Sequence, residues 1–186
     1  ARTTYANYEV ILVDNGSTDP EALAYFQSLA ELPGFKVIRD DREFNYSALN
    51  NLAVAQAAGE VIGLINNDIE VISEDWLSEM VALAQQPGVG AVGARLWYPD
   101  RTLQHGGVLL GVGGVANHAH RVRHQGDPGY FGRAELIQGF SAVTAACLLI
   151  RKEHYLTVGG LNEVDLKVAF NDVDFCLRLR EAGPRN

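Results

Sequence analysis

Short apolar runs alternate with amphipathic stretches through the first half of the chain. The runs are rich in β-branched residues, and each is followed by turn residues and then by apolar positions at helical spacing. Repeated β-α-β units of this kind predict a parallel sheet with helices on both faces. The predicted strands are 9–13, 35–39, 61–65 and 91–96, and the predicted helices are 20–32, 47–58 and 74–85.

A different pattern begins after these units. Residues 102–140 contain many glycines and four of the five histidines without a clear period. This favours hairpins and a long mobile loop over another crossover unit. The remaining predicted elements are a strand at 141–150, a helix at 152–158 that Gly159-Gly160 ends, and a helix at 171–182.

Composition limits the class of protein. The chain has 186 residues, 23 acidic and 15 basic, with a net charge of −8 and 47% hydrophobic residues, which predicts one globular domain. The acid excess argues against nucleic acid or an anionic membrane as a partner, since both attract dense Lys and Arg. The longest apolar run, 142–150, is too short to span a membrane. Two cysteines, Cys147 and Cys176, are too few for a disulfide scaffold and favour the cytoplasm.

Asn66-Asn67-Asp68 follows the third predicted strand and so lies at the carboxyl edge of the sheet, where open α/β folds bind ligands. One carboxylate with neighbouring amide oxygens suits Mg²⁺ or Mn²⁺, which complete their coordination with water and substrate phosphates. The alternative is an Asx-type turn that leaves the strand.

Asp14 is a second candidate, because it ends the first predicted strand. It lies too early to cap the next helix, a role that Ser17 or Asp19 can fill. With Asn15 beside it, Asp14 is placed to accept hydrogen bonds from a base or a ribose.

Asp172 is a third candidate, in the first turn of the last predicted helix. Asn171 is expected to cap this helix, and Asp174 is expected to pair with Arg178 four residues later. Asp172 has no such local partner and is available as a general base. The alternative is a simple first-turn acid that the helix dipole favours.

Two motifs in the 102–140 segment are rejected. Residues 111–116 match a loose dinucleotide-binding pattern, but no helix follows them. His118, His120 and His124 lack a cysteine partner, so a zinc site is not favoured.

Taken in order, four motifs resemble family 2 glycosyltransferases with the GT-A fold: VDNGSTD at 13–19, NND at 66–68, GGLNE at 159–163 and NDVD at 171–174. Three more are similar to the branch that includes rhamnosyltransferases and O-antigen or cell-surface polysaccharide enzymes: QHGGV at 104–108, GYFGR at 129–133 and SAVTAAC at 141–147. The resemblance implies a Rossmann-like, mainly parallel sheet flanked by helices, with a smaller antiparallel part and a long loop at 102–140.

The resemblance also implies roles for matching positions. Asp14, Asn15, Asn66 and Asn67 would contact the nucleotide sugar, Asp68 would ligate Mn²⁺ or Mg²⁺, and Asp172 would be the catalytic base. Amides stand at the first two positions of the metal motif, so ligation would rest largely on Asp68 and the diphosphate. Asn171 replaces the glutamate of the usual Glu-Asp pair, which leaves Asp172 alone as base.

The implied reaction is an inverting transfer of a sugar from a nucleotide-diphosphate sugar to a saccharide or lipid-linked saccharide acceptor, in cell-surface polysaccharide or O-antigen synthesis. The cytoplasm, or the inner face of the membrane for the full-length protein, is the expected compartment. The alternatives are a non-catalytic saccharide- or partner-binding module and a nucleotidyltransferase. Residues 1–186 are expected to form a single GT-A domain that lacks the family's first strand and its last metal-serving histidine, so that this stretch alone can be inactive.

Overall fold

A computed structural model describes residues 2–186, which form nine strands and five α-helices. The helices agree with the sequence-based boundaries to within two residues at each end. In chain order the elements are β1 (Val10–Asp14), α1 (Pro20–Ala30), β2 (Phe35–Arg39), α2 (Tyr46–Gln56), β3 (Val61–Ile65), α3 (Trp76–Ala84), β4 (Val92–Gly93), β5 (Leu96–Trp97), β6 (Leu103–His105), β7 (Val108–Leu110), β8 (Ala116–His118), β9 (Cys147–Arg151), α4 (Lys152–Thr157) and α5 (Asn171–Glu181).

The strands form one parallel ladder and several antiparallel ones. β1 and β2 pair in parallel, and their last residues, Asp14 and Arg39, lie opposite each other. β9 lies between β3 and β4 and runs antiparallel to both. The mixed α/β class is therefore confirmed. Its antiparallel part is larger than the β-α-β rhythm indicates, because the last long strand enters between β3 and β4 in the opposite direction.

β9 is the centre of the hydrophobic core. Its residues Cys147 to Ile150 are all buried, as expected for a strand that is covered on both faces. α5 packs Phe175 into the cluster that contains Leu148 and Ile150, where its ring lies 5.0 Å from that of Tyr155. Burying one such side chain contributes about 1.5–3 kcal/mol, so this packing fixes the position of α5.

Two predicted strands are shorter in the structure. The strand expected at 91–96 divides into β4 and β5. The strand expected at 141–150 begins only at Cys147. The physical reason is that the backbone of residues 144–146 bonds to side chains and to the end of β3 instead of continuing a ladder.

The glycine-rich 102–140 segment forms antiparallel pairs, as predicted. β6 pairs with β5, and β7 forms a hairpin with β8. A short 3₁₀ turn follows at Tyr130–Gly132. Among residues 2–186, no helix is both long and apolar enough to cross a membrane.

Candidate active site

Asn66 leaves the carboxyl end of β3 and is fixed on two sides. Its backbone N–H donates to the carbonyl of Ala146 over 2.9 Å. The hydroxyl of Tyr46, the first residue of α2, lies 3.2 Å from Asn66 Oδ1 and 3.1 Å from the carbonyl oxygen of Ala145. Burial, together with the charge of Asp172, raises the pKa of Tyr46 to about 12. Tyr46 is therefore a neutral hydrogen-bond donor at physiological pH.

Asp172, in the first turn of α5, reaches the same segment. Its Oδ2 accepts a hydrogen bond from the Ala145 N–H at 3.2 Å, and its Oδ1 accepts one from the N–H of Val173 at 2.8 Å. Ala145 therefore connects Asp172 to Tyr46 and, through Tyr46, to Asn66. The structure brings these two sequence-predicted site residues into one hydrogen-bonded group, although 106 positions separate them along the chain (172 − 66).

The start of α5 differs from the sequence-based expectation. Asn171 is not the cap: it is the first helical residue, buried, and its Nδ2 donates to the carbonyl of Val168 at 3.1 Å. Phe170 holds the cap position with a left-handed backbone, φ 58°, a conformation that costs about 1–2 kcal/mol for a non-glycine residue. The predicted pair of Asp174 with Arg178 is present at 2.7 Å.

Asn67 and Asp68 lie beyond Asn66 on an exposed turn. The described residues contain no group of three or more His, Cys, Asp or Glu side chains that could hold a metal ion by themselves. The donors at this turn are one carboxylate and amide oxygens, which fit a hard cation that takes its other ligands from water and phosphate. Asp68 is thus sterically available as a ligand, but it is not part of a protein-built cage.

Asp14 ends β1 in a second group of site residues. It is only 5% exposed; its Oδ1 accepts a hydrogen bond from the Ser17 N–H at 3.0 Å, and its Oδ2 accepts one from Arg39 Nη1 at 2.5 Å. Burial acts to raise the pKa of Asp14, but the hydrogen bonds from Ser17 and Arg39 outweigh it and hold that pKa below the usual value. The carboxylate is charged and still has lone pairs for a ligand.

Asn15 has a structural task in this group. Its Nδ2 donates to the carbonyl oxygens of Asp40 and Arg42, at 2.7 and 2.8 Å, and so holds the loop that leaves β2 against the end of β1. Within the same loop, hydrogen bonds from Arg42 lower the pKa of Asp40 to about 2. A cavity of about 370 Å³ opens beside Asp14, between α1 and β2.

Sequence reasoning missed three partners of the site. Arg39 could have been predicted from the sequence, because a basic residue ends the second predicted strand just as Asp14 ends the first. Tyr46 and Ala145 gave no such signal, since their contacts join segments that are far apart in the chain. No hydrogen bond in residues 2–186 joins the Asp14 group to the Asn66 and Asp172 group.

Comparison with known proteins gives the class. Residues 1–182 match the family model described as Glycosyl transferase family 2. The chain belongs to this family and is a glycosyltransferase domain. It is 56% identical over 186 residues to the uncharacterized protein y4gI of Sinorhizobium fredii, and 40% identical over 186 residues to the O-antigen biosynthesis protein RfbC of Myxococcus xanthus. The match covers all of this chain but only 20% and 14% of those two proteins.

Solved structures show the same fold. The mannosyltransferase PcManGT from Pyrobaculum calidifontis, in complex with GDP-Man and Mn²⁺, aligns with a TM-score of 0.69 at 18% identity, over 99% of this chain and 46% of that one. GalNAc-T7 with UDP, GalNAc and Mn²⁺ aligns with a TM-score of 0.68 at 15% identity, over 95% and 35% of the two chains. At these identities the likeness establishes the GT-A fold.

Proposed function

We propose that this domain transfers a sugar from a nucleotide-diphosphate sugar to a hydroxyl of a saccharide or lipid-linked saccharide acceptor, with inversion at the anomeric carbon. The observation that carries the proposal is the hydrogen-bonded group at the end of β3. In this group Asp172 bonds to the 144–146 segment that also bonds to Asn66, and within residues 2–186 only backbone amides donate to its carboxylate. The 40% identical RfbC, an O-antigen biosynthesis protein, supports a role in cell-surface polysaccharide synthesis.

The proposed step is a single displacement. Asp172 accepts the proton of the acceptor hydroxyl while the hydroxyl oxygen forms a bond to the anomeric carbon. The bond from that carbon to the diphosphate oxygen breaks, and its electron pair leaves with the nucleoside diphosphate. Both oxygens of Asp172 are oriented by backbone N–H groups and retain lone pairs that can take the proton.

The donor is proposed to lie along the carboxyl ends of β1 and β3. Asp14, supported by Arg39, would accept hydrogen bonds from the base or ribose, with Asn15 fixing the adjoining loop. Asn66 and Asn67 would contact the donor. The two structural neighbours were solved with Mn²⁺ and a nucleotide or nucleotide sugar, which supports this class of donor.

Mn²⁺ or Mg²⁺ is the proposed cofactor, with Asp68 as its protein ligand. Bound there, the cation would supply positive charge for the departing diphosphate. The net charge of −8 supports this assignment, because the proposed ligand carries two phosphates and is itself an anion.

We also propose that residues 1–186 are part of a single, larger GT-A domain. β1 and β3 do not pair with each other. Their starting ends are joined by the Glu9 side chain, whose Oε1 accepts hydrogen bonds from the N–H groups of Ala58 and Gly59 at 2.6 and 3.1 Å. The arrangement leaves strand edges on which the family's first strand would pair. The two buried free cysteines support a reducing compartment, the cytoplasm.

The test uses the full-length protein that carries this domain. It is incubated with a panel of nucleotide sugars and saccharide acceptors, with Mn²⁺, with Mg²⁺ or with a chelator, and the anomeric configuration of the product is determined by NMR. We expect a product of inverted configuration that forms only with the cation. A product of retained configuration, or no product with any donor, would refute the proposal.

Asp68→Ala tests the ligand assignment separately, with Glu70→Ala as its control because Glu70 is an exposed acid two positions away. Calorimetry in Mn²⁺ should show weaker nucleotide binding for Asp68→Ala and wild-type binding for Glu70→Ala. Equal affinities in the two variants would remove Asp68 from the metal site.

A further inference from the structure

Two histidines of the antiparallel hairpins lie side by side. His105 ends β6 and is 1% exposed, while His118 ends β8 and is partly buried. Their Nδ1 atoms are 2.8 Å apart, and their rings stand nearly perpendicular, with an interplanar angle of 89°. At this distance one Nδ1 must carry a proton and the other must accept it.

Two backbone amides show which of the two histidines donates the hydrogen bond between them. Nε2 of His105 accepts hydrogen bonds from the N–H groups of Gly107 and Thr144, each over 3.4 Å. A neutral imidazole that accepts at Nε2 carries its proton on Nδ1. His105 therefore donates to His118, and neutral His118 carries its own proton on Nε2. Burial, with the nearby His118, lowers the pKa of His105 to about 3, so His105 is neutral at physiological pH.

His105 and Asp172 accept hydrogen bonds from two consecutive backbone amides. The Thr144 N–H donates to His105, and the next N–H along the chain, that of Ala145, donates to Asp172. The 144–146 segment is thus held by the imidazole on one side and by the carboxylate on the other. The two amides flank the Cα of Thr144, so they belong to adjacent peptide groups.

We propose that His105 and His118 are positioning residues for the base Asp172. His105 holds the Thr144 amide, and His118 keeps His105 in the tautomer that can do so. The orientation of the Ala145 amide, and with it the Asp172 carboxylate, depends on this pair. The inference rests on the proposed function, because it takes Asp172 as the base, and it adds a pair of histidines that the reaction scheme does not otherwise use.

The pair also makes the site sensitive to acid. A proton on Nδ1 of His118 would face the proton on Nδ1 of His105 and break the bond between them. The titratable and charged groups around His118 are His105, Arg121 and Asp172. Burial lowers the pKa of His118, Asp172 opposes this and Arg121 adds to it, and the net result lies below the usual value. Turnover should therefore fall as the pH drops through this lowered pKa.

Two substitutions at His118 separate the functions of the ring. His118→Leu removes the acceptor for the His105 proton. His118→Asn places an amide oxygen near the position of Nδ1, so it keeps the acceptor but cannot be protonated. His124→Asn is the matched control, since His124 is an exposed histidine of the same segment. The full-length protein and these variants are compared by kcat and donor KM between pH 5 and 8.

We expect His118→Leu to lower kcat by about 10²-fold, the usual cost of a small misplacement of a reacting group, with little change in donor KM. His118→Asn and His124→Asn should stay within about threefold of wild type at pH 8. Neither His118→Asn nor His118→Leu can be protonated at this position, so both should lose the fall of kcat on the acid side, whereas His124→Asn should keep it. A wild-type kcat in His118→Leu, or equal impairment of the two His118 variants, would overturn the inference.

Amide hydrogen exchange gives a readout that does not depend on turnover. The peptide that covers 141–150 should exchange faster in His118→Leu than in His118→Asn, while the α1 peptide, the reference for global unfolding, stays unchanged. Equal exchange in both variants would overturn the positioning role. Failure of the proposed function is distinguishable, because Asp172→Asn would then turn over like wild type. A normal loss in Asp172→Asn with an unimpaired His118→Leu would overturn only this inference.

Discussion

The two groups of site residues are held by opposite kinds of contact. We name the group at the ends of β1 and β2 the charged group: Asp14 bonds to Arg39, and Asp40 bonds to Arg42. We name the group around Asn66, Tyr46, Ala145 and Asp172 the neutral group, because its hydrogen-bond donors are backbone amides and a phenol.

The difference has a chemical meaning. A carboxylate beside a guanidinium is stabilised in its charged form, which suits ligand binding and disfavours proton uptake. In the neutral group, within residues 2–186, no ion pair engages Asp172. Its charge would be available to the acceptor hydroxyl of the proposed reaction. We therefore expect damage to the charged group to appear in donor binding and damage to the neutral group to appear in the rate of transfer.

The largest expected effect comes from Asp172→Asn. The amide is nearly isosteric but cannot take the proton, so kcat should fall by about 10² to 10⁴-fold, whereas donor affinity measured by calorimetry should not change. Asp174→Asn is the control, because it alters an acid of the same helical turn whose partner is Arg178. Comparable turnover in the two variants would contradict the division between the groups.

Arg39→Met tests the charged group. It leaves the Asp14 carboxylate, which is 3% exposed, without its cation. We expect donor KM to rise about tenfold, kcat to change little and the thermal midpoint to fall. Lys36→Met removes a positive charge from an exposed position of the same strand and should behave as wild type. If Arg39→Met instead lowers kcat at constant KM, the two groups are not separate.

Acid stability should report on His105, which borders the neutral group. Its pKa is about 3 in the folded protein, against a usual 6.5. Between these values the unfolded chain binds more protons than the folded chain, so stability falls as the pH drops from 6.5 towards 3, by at most about 1.4 kcal/mol per pH unit for one group.

His105→Gln tests this slope, because it keeps an acceptor near the position of Nε2 and does not titrate. Urea unfolding at a series of pH values should show a shallower acid slope in His105→Gln than in wild type. The exposed His124→Asn should leave the slope unchanged. Identical slopes in all three proteins would show that His105 is not held neutral by burial.

Tyr46→Phe has the smallest expected effect. It removes the hydroxyl that reaches Asn66 and Ala145, and the loss of one such hydrogen bond costs about 0.5–1.5 kcal/mol of unfolding free energy. A few-fold loss of kcat should accompany it. Tyr25→Phe, on the exposed side of α1, controls for loss of a phenol. A change in donor KM in place of kcat would indicate that Tyr46 acts in donor binding, as the charged group is expected to do.

The sequence predicted the elements whose cause is local. The run that becomes β3 and the capping role of Asp19 both depend on neighbouring residues, and both are present in the structure. Asn171 does not cap the helix, because its side-chain amide donates a hydrogen bond to the carbonyl of Val168 before the helix begins. Which partner the Asn171 side chain binds depends on the path of the preceding loop. Hydrophobic periodicity carries no information about that path.

The sequence predicted the candidate acids of the site but not the groups that form hydrogen bonds with them. Asp14 and Asp172 stood out because each lacked a local partner. Their partners in the structure, Arg39 and the Ala145 amide, come from segments that meet only through the sheet and through the packing of α5. The histidine pair had even less signal, since two rings 13 positions apart become neighbours only when β6 and β8 are placed.

The hydrogen bonds that join the 144–146 segment to the rest of the protein are made by its main chain: the N–H groups of Thr144 and Ala145 and the carbonyl oxygens of Ala145 and Ala146. Every polypeptide carries these atoms, so mutational drift can replace Ala145 with another small residue and leave all four bonds in place. Selection at this position would then act on side-chain volume and on the backbone path, and a search for shared side chains would pass over a segment on which the proposed active site depends.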